Sequence, residues 1–334
     1  MAGQVAAYNA ANRWTKQGVA ITPTKYGIGW GGIQAGAQVA VFSSDGTVQV
    51  SHTGCEIGQG INTKVAQVVA YTLGVPLDSV VVRDLSSDVL PNGTATGGSS
   101  TSETCAQAAL LACKQITAAL APVVAANPGK PWAAVVGLAA AQGIPLIASG
   151  WFAPTPPADM SSNFNYFVYG AACSRVQIDV LTGETQILST DVVFDQGVSL
   201  NPDVDVGQIE GAFVQGIGYF VTEETVVSSP DGRLLSTGTW DYKPPAAFDI
   251  PITLNVSLLQ NAPNPLGVLR SKASGEPPYA LANSVLFAIK AAIASARADA
   301  GTPSPAAFDV DLPASPAKIQ QLCQVDPSQM VISM

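Results

Sequence analysis

Twice before residue 130 a β-patterned stretch runs into a loop of Gly, Ser and Thr and then straight into a helix. The first case is a strand at 47–52, the loop Thr53-Gly54-Cys55-Glu56-Ile57-Gly58-Gln59-Gly60, and an amphipathic helix at 62–73 with Val65, Val68, Val69 and Leu73 on one stripe. The second is a strand at 80–83, the small-residue loop 92–103, and an Ala-rich helix reaching about residue 126. Such transitions rule out an all-helical or an all-β fold. They also leave free backbone N–H groups at a helix start, where the dipole favours an anion. Ser100 and Glu103 have capping-box spacing. Glycines equally serve tight turns, so each loop alone leaves turn and ligand site both open. No Gly-Lys-Ser/Thr follows either loop, which excludes a P-loop; Gly27, Gly29 and Gly32 have dinucleotide spacing but precede a strand.

Further strands are expected at 38–42, 167–170, 174–181, 186–194, 239–242 and 252–259, and helices at 1–18, 132–142, 205–222 and 279–300. Without regular βαβ alternation the class is α+β, with mixed sheets and packed helices in two lobes. Their approximate limits are 19–130 and 165–300, with a Pro-rich connection at 143–162 and a C-terminal tail at 301–334.

Of the 334 residues, 47% are hydrophobic and only 12% charged, which suits a chain that buries much of its surface, some of it against partner domains. A net charge of -9 argues against a nucleic-acid backbone or an anionic membrane as partner. The longest uncharged run is broken by Pro145, Pro154, Pro156 and Pro157, so no membrane span is expected there. Five scattered cysteines and no signal-peptide core predict reduced thiols and a cytoplasmic location, with the peroxisome as the alternative. His52 is the only histidine, which leaves no His-rich metal site and marks it as a structural, hydrogen-bonded residue.

Glu276 lies in Ser-Lys-Ala-Ser-Gly-Glu-Pro-Pro (271–278), ahead of a long apolar helix. Pro favours a first helical turn, so Glu276 is expected at a helix N-terminus. By itself it reads first as a cap and second as a general base. Gln215 falls on one face of the 205–222 helix with Gly211 and Gly218; it reads as a buried amide, bonded either to the core or to a ligand.

Four motifs occur in order: Gly-Cys-Glu-Ile-Gly-Gln-Gly (54–60), Gly-Gly-Ser-Ser-Thr-Ser-Glu (97–103), Gln-Ile-Glu-Gly-Ala-Phe-Val-Gln-Gly-Ile-Gly (208–218) and the Glu276 motif. Together they resemble the second molybdopterin-binding half of the xanthine dehydrogenase / aldehyde oxidase family, over most of the chain. The resemblance implies a molybdenum-molybdopterin cofactor and oxidative hydroxylation of an aldehyde or N-heterocycle, with Glu276 as the general base. It implies that Gln59 and Gln215 hydrogen-bond the pterin, flanked by Gly58 and Gly60. Gly98 is expected with its backbone beside the metal, without a side-chain ligand, next to Gly97; Ser99, Ser100 and Thr101 are expected around the cofactor phosphate.

Two residue pairs depart from purine-oxidising members: Trp30 and Gly31 stand where a Phe-Thr pair is expected in the substrate pocket, and Gly97-Gly98 replaces two alanines. Both departures favour an aldehyde over a purine. The resemblance also implies [2Fe–2S] and FAD domains and a first molybdopterin half, all outside this chain, and a homodimer. The alternative is a truncated, catalytically incompetent relative acting at most as an interaction module.

Overall fold

The computed structural model describes residues 1–83, 85–154, 163–326 and 328. Its strands are β1 (Thr15–Ile28), β2 (Ala35–Val41), β3 (Val48–His52), β4 (Val80–Val82), β5 (Ile147–Phe152), β6 (Tyr166–Asp179), β7 (Thr185–Phe194) and β8 (Thr253–Leu258). The helices are α1 (Ala2–Ala11), α2 (Ile61–Leu73), α3 (Thr101–Ala126), α4 (Trp132–Ala141), α5 (Pro202–Ile217), α6 (Asn283–Asp299) and α7 (Pro316–Leu322). Two four-stranded mixed sheets result, ordered β4-β3-β2-β5 and β1-β6-β7-β8, in agreement with the α+β class.

The lobe limits at 19–130 and 165–300 do not follow these sheets. β1 precedes the first sheet in sequence but pairs along its whole length with β6, from Thr15 opposite Asp179 to Ile28 opposite Tyr166. β5 lies inside the expected connection yet pairs with β2 and closes the first sheet. The chain therefore starts in one lobe, builds the other, and returns; residues 155–162 of the connection lie outside the described residues. β6 is a single strand where two were expected, and 239–242 is a turn closed by the Tyr242 amide on the Gly238 carbonyl at 2.7 Å.

Each lobe seats its long helix on its sheet by the same device. A side chain at Gly18 of β1 would put its Cβ 1.9 Å from the Ala288 carbonyl oxygen of α6; at Gly150 of β5 it would lie 2.0 Å from that of Ala108 in α3. Glycine on the strand facing alanine on the helix lets the two backbones touch. Val285, Ala288, Ile289, Ala292, Ile293 and Ala296 of α6 are fully buried at helical spacing, as are Ala108, Ala109, Ala112 and Cys113 of α3. Burying each isoleucine of that stripe contributes on the order of 2 kcal/mol. By length and composition α3, and α6 with the turn before it, would suffice to cross a membrane, but their apolar stripes face the two sheets.

Candidate functional site

A cleft of about 330 Å³ opens between the lobes. Four segments wall it: the end of the 54–60 loop, residues 96–103 leading into α3, one face of α5, and residues 271–276. Gln59, Gly97, Gly98, Ser99, Thr101, Gln215 and Glu276, expected at the site from sequence, all line it.

Glu276 is half-buried and directly precedes a 3-10 turn, Pro277–Ala282, that continues into α6. Its carboxylate makes no capping bond. Instead the Tyr26 hydroxyl donates to its Oε2 at 2.6 Å, across 250 residues of sequence. Burial, then this bond, pushes the Tyr26 phenol up to about 12, so it remains a donor throughout the neutral range. The Glu276 amide donates to Ser99 Oγ at 2.7 Å, tying its segment to the glycine loop. Lys272 anchors the same segment to the second sheet through Asp195 Oδ2 at 2.5 Å and the Phe167 carbonyl at 2.8 Å.

The two loops differ more than their sequences suggest. In the first, Glu56 fills the helix N-terminus itself: Oε1 accepts from the amides of Gly58 (3.1 Å) and Gly60 (3.0 Å), and Oε2 from Asn62 (3.1 Å). That loop is capped from within and offers no free anion nest. Gln59 is likewise braced by its own loop, donating to the Cys55 carbonyl and accepting from the Ile57 amide, each at 2.8 Å. Gly58 and Gly60 do not line the cleft; Gly60 has φ +73° and lets Val204 of α5 approach, where a Cβ would lie 2.8 Å away.

In the second loop Gly98 and Ser99 are both left-handed, at φ +66° and +55°. A Cβ at Gly98 would have only Ser100 Oγ within 4 Å, at 3.8 Å, so the lack of side chains at Gly97 and Gly98 leaves open space in the cleft. Ser100 is buried and turns to a smaller recess of about 250 Å³ behind the loop, beside Gly29 and Cys105. The capping box does not form, because Glu103 points elsewhere: Tyr166 Oη donates to its Oε2 at 2.8 Å and Trp30 Nε1 at 3.3 Å. Burial pushes the Glu103 carboxyl up to about 7 against the pull of Tyr166 and Trp30; the Val268 amide lowers it slightly without completing a hydrogen bond to Oε1.

Trp30 is therefore a core residue, 7% exposed and edge-on to Phe152 and Tyr166, and Gly31 is exposed away from the cleft. Neither forms a wall of this pocket. Gln215, read as buried, is exposed on the cleft wall and accepts from Tyr279 Oη at 2.5 Å. Gln208 lies seven residues before it, with Gly211 and Ala212 between, so one face of α5 presents both amides. The i, i+3, i+4, i+7 spacing of these four residues was the available signal for Gln208. His52 keeps a structural role, its Nε2 2.9 Å from Asn62 Oδ1, with burial lowering its pKa.

A family profile described as molybdopterin cofactor-binding domain matches residues 1–251. The chain belongs to that family. It is 43% identical over 330 residues to xanthine dehydrogenase of Drosophila pseudoobscura pseudoobscura and 44% identical over 330 residues to xanthine dehydrogenase 1 of Arabidopsis thaliana. These matches cover 96% and 95% of the chain but 24% of each relative, so the chain spans about a quarter of the length of the curated relatives it matches. Among solved structures, quinoline 2-oxidoreductase from Pseudomonas putida 86 aligns at TM-score 0.81 and 24% identity, covering 98% of this chain and 44% of that one. Aldehyde oxidoreductase from Desulfovibrio gigas aligns at TM-score 0.75 and 23% identity, covering 97% of this chain and 35% of that one. These structural likenesses establish the fold.

The cleft fits a molybdopterin cofactor on its own chemistry. Among the described residues no three His, Cys, Asp or Glu side chains stand together as metal ligands. The open rim at Gly97-Gly98 and the amides of Gln59, Gln208 and Gln215 supply room and hydrogen-bonding groups for the cofactor.

Proposed function

We propose that this chain forms one wall of the molybdenum centre of a longer oxidoreductase that hydroxylates an aldehyde or an N-heterocycle, with Glu276 as general base. The observation that carries this reading is the setting of Glu276: its carboxylate lines the cleft, one oxygen is held by Tyr26, and its backbone is pinned to the Gly98-Ser99 turn. When bound, molybdopterin supplies a redox-active metal that takes up the two electrons of substrate oxidation.

The chain's own residues do the rest. Tyr26 orients the Glu276 carboxylate so that its second oxygen can accept a proton from the attacking oxygen nucleophile. Gly97 and Gly98 let the cofactor approach the backbone, and Gln208 and Gln215 present amides from one helix face. The Thr101 hydroxyl, which accepts from the Gly97 amide at 3.2 Å, stands with Ser99 where a cofactor phosphate would meet the α3 N-terminus. The first molybdopterin half, [2Fe–2S] clusters and FAD belong to the remainder of the longer protein.

Trp30 lies in the core, so the leaning towards aldehydes rests on Gly97-Gly98 alone, and both substrate classes stand. The test is to purify the full-length protein, measure molybdenum and pterin content, and assay oxidation of aldehydes and of purines. Gly98→Val, which places a branched side chain in the cleft at a left-handed position, is expected to abolish both cofactor content and turnover. Stoichiometric molybdenum in that variant would overturn the placement of the cofactor.

A further inference from the structure

One buried carboxylate with no assigned part in the reaction lies in α5 and bonds both Ser274 of the 271–276 segment and Lys64 of α2, two residues that line the cleft. Asp205 lies in the first turn of α5 and is fully buried. Its Oδ1 accepts from Lys64 Nζ of α2 at 2.5 Å and from Ser274 Oγ at 3.2 Å, and its Oδ2 accepts from Ser199 Oγ at 2.6 Å. Lys64 is 7% exposed and packs with the first lobe, whereas α5 packs on the second sheet.

The elements joined through this carboxylate each carry part of the cleft. α2 follows directly on the loop that carries Gln59, Ser274 stands two residues before Glu276, and α5 itself carries Gln208 and Gln215. Neighbouring polar links are longer: Gln208 Nε2 of α5 reaches the Gly58 carbonyl of the loop before α2 at 3.4 Å, and Asn201 Nδ2, just ahead of α5, reaches Gln67 Oε1 of α2 at 3.3 Å. A buried ion pair is weak evidence for stability, because desolvation offsets much of its attraction. It is strong on geometry: charge-assisted bonds are directional, and three donors converge here on one carboxylate, Lys64 and Ser199 at short range and Ser274 at 3.2 Å.

We propose that Asp205 is the positioning residue of the cleft. By holding Lys64 of α2 and Ser274 of the Glu276 segment to the start of α5, it sets the spacing between the cofactor-facing glutamines and the base. The proposal rests on the reading of the cleft given above, but its structural half stands without cofactor. It acts through Lys64 and Ser274, and Asp205 itself takes no proton from substrate.

Hydrogen–deuterium exchange on the full-length protein, combined with steady-state kinetics, tests it. Asp205→Asn should raise exchange about tenfold at amides 57–61 and 272–276 while β6 and β7 stay protected, the scale set by losing one bond to a charged group. Its kcat should fall about tenfold or more with KM changed far less. Ser274→Ala should raise exchange at 272–276 alone, and it decides the matter if Asp205→Asn does not fold. A uniform rise across both sheets, or unchanged exchange at 272–276 in the folded variants, would overturn the proposal. So would loss of cofactor in Lys64→Met with full retention in Asp205→Asn, which would make Lys64 a ligand contact instead. Wild-type protein without molybdenum would sink the reading of the cleft and leave the exchange comparison intact.

Discussion

Replacing Glu103 by glutamine should change how stability depends on pH. The Glu103 carboxyl is 7% exposed, and burial raises its pKa from 4.5 to about 7. A carboxyl with a raised folded-state pKa binds its proton more tightly folded than unfolded. Its contribution is therefore fully present below pH 4.5 and is lost as pH rises to about 7. Each pH unit in that window removes about 1.4 kcal/mol, so the whole window removes roughly 3 kcal/mol. His52 works in the opposite direction, because burial lowers its pKa below 6.5 and makes protonation favour the unfolded chain as pH falls. A comparison of wild type with Glu103→Gln cancels His52 and leaves Glu103. Thermal unfolding followed from pH 4.5 to 7.5 should show the variant gaining roughly 3 kcal/mol on the wild type, several degrees in Tm for a protein of this size. Parallel Tm curves for the two proteins across that range would refute a buried carboxyl titrating near neutrality.

Two further substitutions probe the walls of the cleft. Tyr26→Phe removes the hydroxyl that holds Glu276 Oε2, and losing a hydrogen bond to a charged group should lower kcat by about tenfold or more; unchanged kinetics would show that the carboxylate does not need this brace. Glu56→Ala strips three amides of their acceptor at the start of α2 and should cost about 1–2 kcal/mol in denaturant unfolding; no loss would mean that solvent caps the turn equally well.

Local pattern carried most of the secondary structure. Period-2 stretches became β2, β3 and β7, the valine stripe of α2 came out within a residue of its expected limits, and the alanine-rich run of α3 ended where expected but began at Thr101, inside the expected loop. What local pattern could not carry was pairing at a distance. β1 joins β6 across more than a hundred residues, and nothing local in its sequence distinguishes that partner from β2 beside it. The site shows the same division. Glycines and glutamines announce themselves by type and spacing, so most of the expected lining residues do meet in one cleft. The side chains that satisfy or restrain them are set by tertiary contact: Glu56 turning back on its own loop, Tyr26 reaching Glu276, and Glu103 turning to Tyr166 rather than to its cap. Trp30 misled for a related reason, since a large ring in a glycine-rich stretch can face either a pocket or a core, and here Phe152 and Tyr166 claim it.

The central claim is that Glu276 acts as the base in a molybdopterin cleft, and turnover by Glu276→Gln in the full-length protein tests it most directly, with molybdenum content measured on the same sample. The substitution keeps the shape of the side chain and an oxygen for Tyr26 to bond, but it removes the proton acceptor. The account predicts unchanged molybdenum and a fall in kcat of about a hundredfold or more, the scale of losing a general base. Wild-type turnover in a fully loaded variant would contradict it.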